Sequence, residues 1–256
     1  SLHDALPICT GRKMQTSKTI LLVGSGRLAK HLQYWNSTLS TPNRLLHWDR
    51  SLPIEILQQH FIRSQIVWLA ITDSSIVTFY EENLAKISAL NNSVKFVHFS
   101  GALHHPPLIA AHPLMTFATE SYDKKIYDQI HFILTGCQNI QEALPNFNNS
   151  FSLLDADHKA FYHALCVIAG NFPQMLWSEV LTQFNQLNIP PEALSVYIQQ
   201  VTNNFIQHNS NALTGPFTRK DLSTLHKNLN SLSHSPLQKI YQSFLDVFLK
   251  GNTYEK

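Results

Sequence analysis

The stretch that most constrains this chain is Thr19-Ile20-Leu21-Leu22-Val23, which runs directly into Gly24-Ser25-Gly26-Arg27-Leu28-Ala29. An unbroken run of apolar and β-branched residues is the pattern of a strand covered on both faces, as in a parallel sheet. The G-x-G-x-x-A that follows suits the turn out of such a strand. Gly24 permits a tight turn, Gly26 lets a diphosphate come close to the backbone, and Ala29 is small enough for helix and strand to pack together. The helix expected next, from about Arg27 to Asn36, would turn free N–H groups and the positive end of its dipole toward phosphates. Gly24, Ser25, Gly26, Arg27 and Leu28 are therefore the first candidates for binding a dinucleotide.

The pattern continues in the same sense. Arg44–Trp48, Gln65–Ile71 and Val94–Phe99 read as further strands, and Ile54–Phe61 and a segment ending near Leu90 read as helices. Strands alternating with helices at this spacing predict βαβ units and a parallel sheet. His104–Thr119, with Pro106, Pro107 and Pro113, reads as irregular, and His131–Thr135 and Phe151–Leu154 as short strands. From Asp155 the period changes. Phe161, Leu165, Ile168, Phe172, Leu176, Val180, Phe184 and Leu187 recur at helical spacing, with a kink expected at Pro173. A helix apolar nearly all round needs cover, from its own domain or from a second subunit. Pro191–His208 and Pro236–Lys250 are the next helices, the second ending at Gly251.

The expected organisation is a leader over residues 1–13, a dinucleotide-binding domain over 14–151 and a helical domain over 152–256. The leader precedes Met14, begins Ser1-Leu2-His3-Asp4 and has the character of neither a signal nor a transit peptide; it reads as non-native. A net charge of +2, with no block of lysine or arginine, gives no footprint for nucleic acid. No apolar run approaches the ~20 residues of a membrane span. Cys9 falls in the leader, and Cys137 and Cys166 lack metal or redox spacing, which suits a reduced, cytoplasmic setting.

Ligands of a doubly wound sheet sit outside the carboxyl ends of its strands. Asp49 and Arg50 end the second strand. Asp49 would hold a ribose 2′-OH, and Arg50 would meet the 2′-phosphate of NADP, so the pair leaves NAD and NADP both open. Thr72-Asp73 and Ser100-Gly101 end the next two strands and are candidates beside the nicotinamide, with ordinary caps and turns as the alternative. His104, His105 and His112 match no zinc spacing, so no metal site is expected. His112 suits proton transfer at the mouth of the cleft. Tyr162, His163 and Asn171 are polar positions on an otherwise apolar helix and suit either a structural network or catalysis.

Gly24-Ser25-Gly26, Ser100-Gly101-Ala102, His112-Pro113-Leu114-Met115-Thr116-Phe117, Tyr162-His163-Ala164 with Asn171, and Ala212–Pro216 with Arg219 and Asp221 together resemble one family. It is the Rossmann-like proteins with a C-terminal DUF2520 domain, relatives of 6-phosphogluconate dehydrogenase, ketopantoate reductase and pyrroline-5-carboxylate reductase. The resemblance implies an α/β fold, with an N-terminal Rossmann-type parallel sheet followed by an all-helical C-terminal domain that commonly dimerises. It also implies NADP, because arginine commonly ends the second strand in the wider group. Hydroxyacid dehydrogenases of that group carry a lysine four residues before the asparagine, where this chain has Val167. Lys220 and Asn228 likewise replace a glycine and a histidine of the family pattern. The expected activity is NADP(H)-dependent hydride transfer to or from a small carbonyl or imine compound, in a homodimer, with His112, His163 and Asn171 facing substrate. The alternative is a dinucleotide-binding regulatory or scaffold protein without turnover.

Overall fold

A computed structural model describes residues 16–249. The leader, Cys9 and the expected helix end at Lys250-Gly251 lie outside them. The chain divides at Met175/Leu176 into two compact units.

The first unit is built on one seven-stranded sheet. Its strands are β1 (Thr19–Val23), β2 (Arg44–Trp48), β3 (Ile66–Leu69), β4 (Lys95–His98), β5 (Ile109–Pro113), β6 (Phe132–Thr135) and β7 (Phe151–Leu153). In space the order is β2-β1-β3-β4-β5-β6-β7. The first five are mutually parallel, and β6 and β7 run against them. Helices α1 (Arg27–Ser37), α2 (Ile54–Ile62) and α3 (Asp73–Phe79) make the early crossovers, α3 continuing through a π turn at Tyr80–Leu84 into α4 (Ala85–Ile87). The short helices α5 (Lys124–Gln129) and α6 (Ile140–Ala143) flank β6. Both lie outside the expected elements.

Alternation along the strands divides the core into two layers. Ile20 and Leu22 of β1 join Trp35, Trp68, Tyr127 and Phe132 on one face, while Leu21 and Val23 join Leu57, Phe61, Val67 and Leu69 on the other. Covering both faces of the sheet is what produces uninterrupted apolar strands.

The strand ends are level. Val23 pairs with Trp48 on one side and Leu69 on the other, and Leu69 pairs with His98. The chain leaves β1 for β2, then returns past β1 to β3, so a crevice opens at the carboxyl end of β1. The stretch expected to be irregular contains β5. His98 pairs with Ala110, so His112 stands two positions beyond the last β4 pair, level with Ser100.

Beyond β7 every described element is helical. α7 (Lys159–Cys166) passes through a π turn at Val167–Asn171 into α8 (Phe172–Gln186), so the change of helical geometry falls just before Pro173. The second unit continues with α9 (Pro191–His208), α10 (Pro216–Arg219), α11 (Leu222–Ser231) and α12 (Leu237–Phe248). α11 was not expected. Its start is capped by Asp221, whose carboxylate accepts from Thr224 N at 3.1 Å.

Candidate functional site

The turn after β1 has little conformational freedom. Gly24 has φ +116°, and a Cβ there would lie 2.9 Å from the carbonyl carbon of Ala70. Its N–H donates to Trp48 O at 2.9 Å, and His47 Nε2 lies 2.9 Å from its carbonyl. Gly26 behaves differently: a Cβ there would meet nothing within 4 Å. It faces open space at the head of α1, where no side chain caps the helix and no acidic residue occupies the first turn. The leading amides and the helix dipole are thus directed into a cleft of about 810 Å³.

Gly24, Ser25, Gly26, Arg27 and Leu28 line that cleft, as do Asp49, Arg50 and Thr72. Asp49 accepts from Ser51 N at 2.9 Å and from Ser51 Oγ at 2.5 Å. These bonds hold its carboxyl below the usual carboxylate range. Arg50 is exposed, and no carboxylate lies within 4 Å of it among the described residues. Met115, Thr116 and Phe117, from the segment following β5, line the same cleft.

Met115 and Thr116 also border a second chamber of about 380 Å³. His112, His163 and Asn171 line it together, with Cys166 and Gln174 beside them. The structure therefore gathers in one chamber three residues that are up to 59 positions apart in sequence. His112 Nδ1 lies 2.7 Å from the Tyr162 hydroxyl. Burial, then the charges of Lys159 and His163, lower the His112 pKa to about 4, so its imidazole is neutral at neutral pH. Burial and a hydrogen bond with Cys166 raise that of the Tyr162 phenol, which stays protonated.

Asp73, Ser100 and Gly101 lie behind these walls. Ser100 Oγ donates to Asp73 Oδ2, and it accepts from Leu103 N at 3.1 Å. Gly101 is the point of closest approach: a Cβ there would stand 2.6 Å from His163 Cδ2 and 3.1 Å from His112 Nε2. Its missing side chain makes room for two histidines of the same chain. Asp73 begins α3, and the preceding Thr72 hydroxyl meets Ser75 Oγ at 2.9 Å.

Some wall residues were not anticipated. Trp48, Ser75, Phe79 and Met115–Phe117 border the first cleft, and Cys166 lines the second. A register argument would have found the Met115 segment only once β5 was recognised. Lys159, buried behind Ser100, gave no signal, since a lysine at a helix start ordinarily faces water. Among the described residues no three of His, Cys, Asp and Glu are grouped to hold a metal ion, and no helix is long and apolar enough to cross a membrane.

A family model, a domain of unknown function termed DUF2520, matches residues 132–246. No curated protein matches the sequence. Solved structures do share the fold. A Bacteroides fragilis protein assigned to the NADP oxidoreductases is 17% identical with a TM-score of 0.69, over 91% of this chain and 98% of that one. A Thermotoga maritima protein is 18% identical with a TM-score of 0.64, over 90% and 97%. The 1-pyrroline-5-carboxylate reductase of Streptococcus pyogenes is 16% identical with a TM-score of 0.56, over 92% and 98%. The chain thus shares a Rossmann-like fold with these solved structures, and its residues 132–246 match the DUF2520 model.

Proposed function

We propose that this protein is an NADP(H)-dependent oxidoreductase that acts on a small carbonyl or imine compound, and that it works as a homodimer. One observation carries the reading: the cleft at the glycine turn shares the Met115–Thr116 wall with the chamber that holds His112, His163 and Asn171. A dinucleotide laid along the first would reach the second with its nicotinamide end.

The residues present suit the cofactor. Open space at Gly26 and the uncapped start of α1 would take the pyrophosphate. Arg50 is free to meet a 2′-phosphate, while the Asp49 carboxylate is occupied by its own turn, which favours NADP over NAD. When bound, the nicotinamide supplies or accepts the hydride. The protein must then manage a proton at the substrate heteroatom. His112, neutral and bonded to the Tyr162 phenol, is placed to exchange one, with His163 as its neighbour. Asn171 offers an amide to orient a carbonyl or imine. Among the described residues no lysine lines the chamber, which favours an imine substrate over a keto acid.

Titration with NADPH and NADH, followed by nucleotide fluorescence, tests the first step. Saturable binding is expected, with NADPH preferred. At 100 times its dissociation constant, the bound form should gain roughly 2.7 kcal/mol of stability, visible as a thermal shift. A panel of cyclic imines and keto acids tests the second. NADPH oxidation with an imine supports the enzyme. Tight binding with no turnover on either class would favour a dinucleotide-binding regulatory protein.

A further inference from the structure

The first turn of α7 holds a buried cation that neither the cleft nor the chamber uses as a wall. Lys159 is 1% exposed. Its position is costly twice over, because the ammonium has left water and sits at the positive end of a helix. Among the described residues no carboxylate lies within 4 Å to pair with it. Its Nζ donates instead to Ser100 O at 3.3 Å.

Ser100 is held from every side. Its hydroxyl donates to Asp73, and its N–H donates to His98 Nδ1 at 3.2 Å. The turn into Gly101 is therefore suspended between an ammonium and a carboxylate, and His112 and His163 rest on the bare face of Gly101.

We propose that Lys159 is a positioning residue: it anchors the Ser100–Gly101 turn on which both histidines are seated. Held there, its ammonium adds to burial in disfavouring the imidazolium form of His112. The groups facing His112 are Lys159, Tyr162 and His163 from α7, Cys166 beyond Tyr162, and His98 from β4, with Asp73 reached through Ser100. Only Asp73 among them offsets the lysine. The proton-transfer role of His112 rests on the proposed function, but the effect of Lys159 on it does not.

Nitrogen-15 NMR of histidine-labelled protein, without nucleotide, tests this directly, with the His112 signals assigned from His112→Gln. In Lys159→Met the repulsion of imidazolium is gone, so the His112 midpoint should rise by about one pH unit. Lys159→Arg should keep it near the wild-type value, and the signal of exposed His208 serves as an internal control. A folded Lys159→Met whose His112 midpoint does not move overturns the proposal; a purely structural lysine would lower the melting temperature and leave that midpoint alone. Lys159→Gln gives the same reading should the methionine variant not fold. NADPH titration of the same samples separates the two ideas. Failure of wild type to bind defeats the dinucleotide reading, whereas an unmoved midpoint in protein that binds NADPH defeats this one.

Discussion

Gly24 and Gly26 are two residues apart, belong to one motif, and do different work. Gly24 serves the fold, because its backbone is in the positive-φ region and Ala70 occupies the space a Cβ would need. Gly24→Ala should therefore cost about 2–4 kcal/mol of stability in urea unfolding, or prevent folding. Gly26 serves the ligand, because its missing Cβ faces nothing of the protein. Gly26→Ala should unfold like wild type yet bind NADPH about tenfold more weakly. Equal destabilisation by both changes would remove the pyrophosphate from Gly26. Arg50 supplies the complementary comparison. With no carboxylate partner to lose among the described residues, Arg50→Ala should leave stability unchanged, weaken NADPH by about 2 kcal/mol, the value of a charge-assisted phosphate contact, and barely alter NADH.

Adjacent strands β4 and β5 deliver His98 and His112 to the same end of the sheet, and both arrive neutral. Burial, then the charge of Lys159, lowers the His98 pKa to about 3, while that of His112 falls to about 4. Each lies below the ordinary value of 6.5. Between those limits the unfolded chain binds protons that the folded chain refuses. Stability is therefore fully present above about pH 6.5 and is lost as the pH falls, by up to ~1.4 kcal/mol per pH unit for each histidine. Urea unfolding at pH 7 and pH 5 should show this loss, and His98→Asn should remove close to half of it. β5 is also where sequence reading stopped short. Ile109-Ala110-Ala111 is brief, small and set among prolines, so its strand character comes from pairing with β4 and β6 rather than from its own propensity. β1, by contrast, was legible because burial on both faces writes itself into every residue. α11 was missed although its signal was present: Asp221 at the cap, then Leu222, Leu225 and Leu229 at helical spacing. Lys159 left no such trace, because what distinguishes it is burial, which only the folded chain reveals.

The apolar face foreseen for the helix beginning near Asp155 is present in the single chain, but it is uncovered. Phe161, Leu165, Ile168, Phe172 and Met175 follow one another at steps of four, three, four and three residues, and all are 48–68% exposed. In α9, Val196, Tyr197, Val201 and Phe205 are exposed too, as are Phe244, Val247 and Phe248 in α12. An apolar stripe at that spacing is the kind of surface one helix offers another, and soluble monomers seldom leave one open. A second copy of this chain would supply the matching surface twice over, since a two-fold interface sets each patch against its own equivalent. Light scattering should therefore give twice the chain mass, and Phe161→Glu with Phe172→Glu should return it to the mass of one chain. NADPH affinity should stay within about twofold of wild type, because the residues lining that cleft fall between Val23 and Phe117. Turnover should fall further, since Cys166 through Gln174 line the chamber from the same helical stretch that carries the stripe. A double variant that keeps the doubled mass would place the interface on another face. One that is monomeric and fully active would leave the dimer with no part in the chemistry.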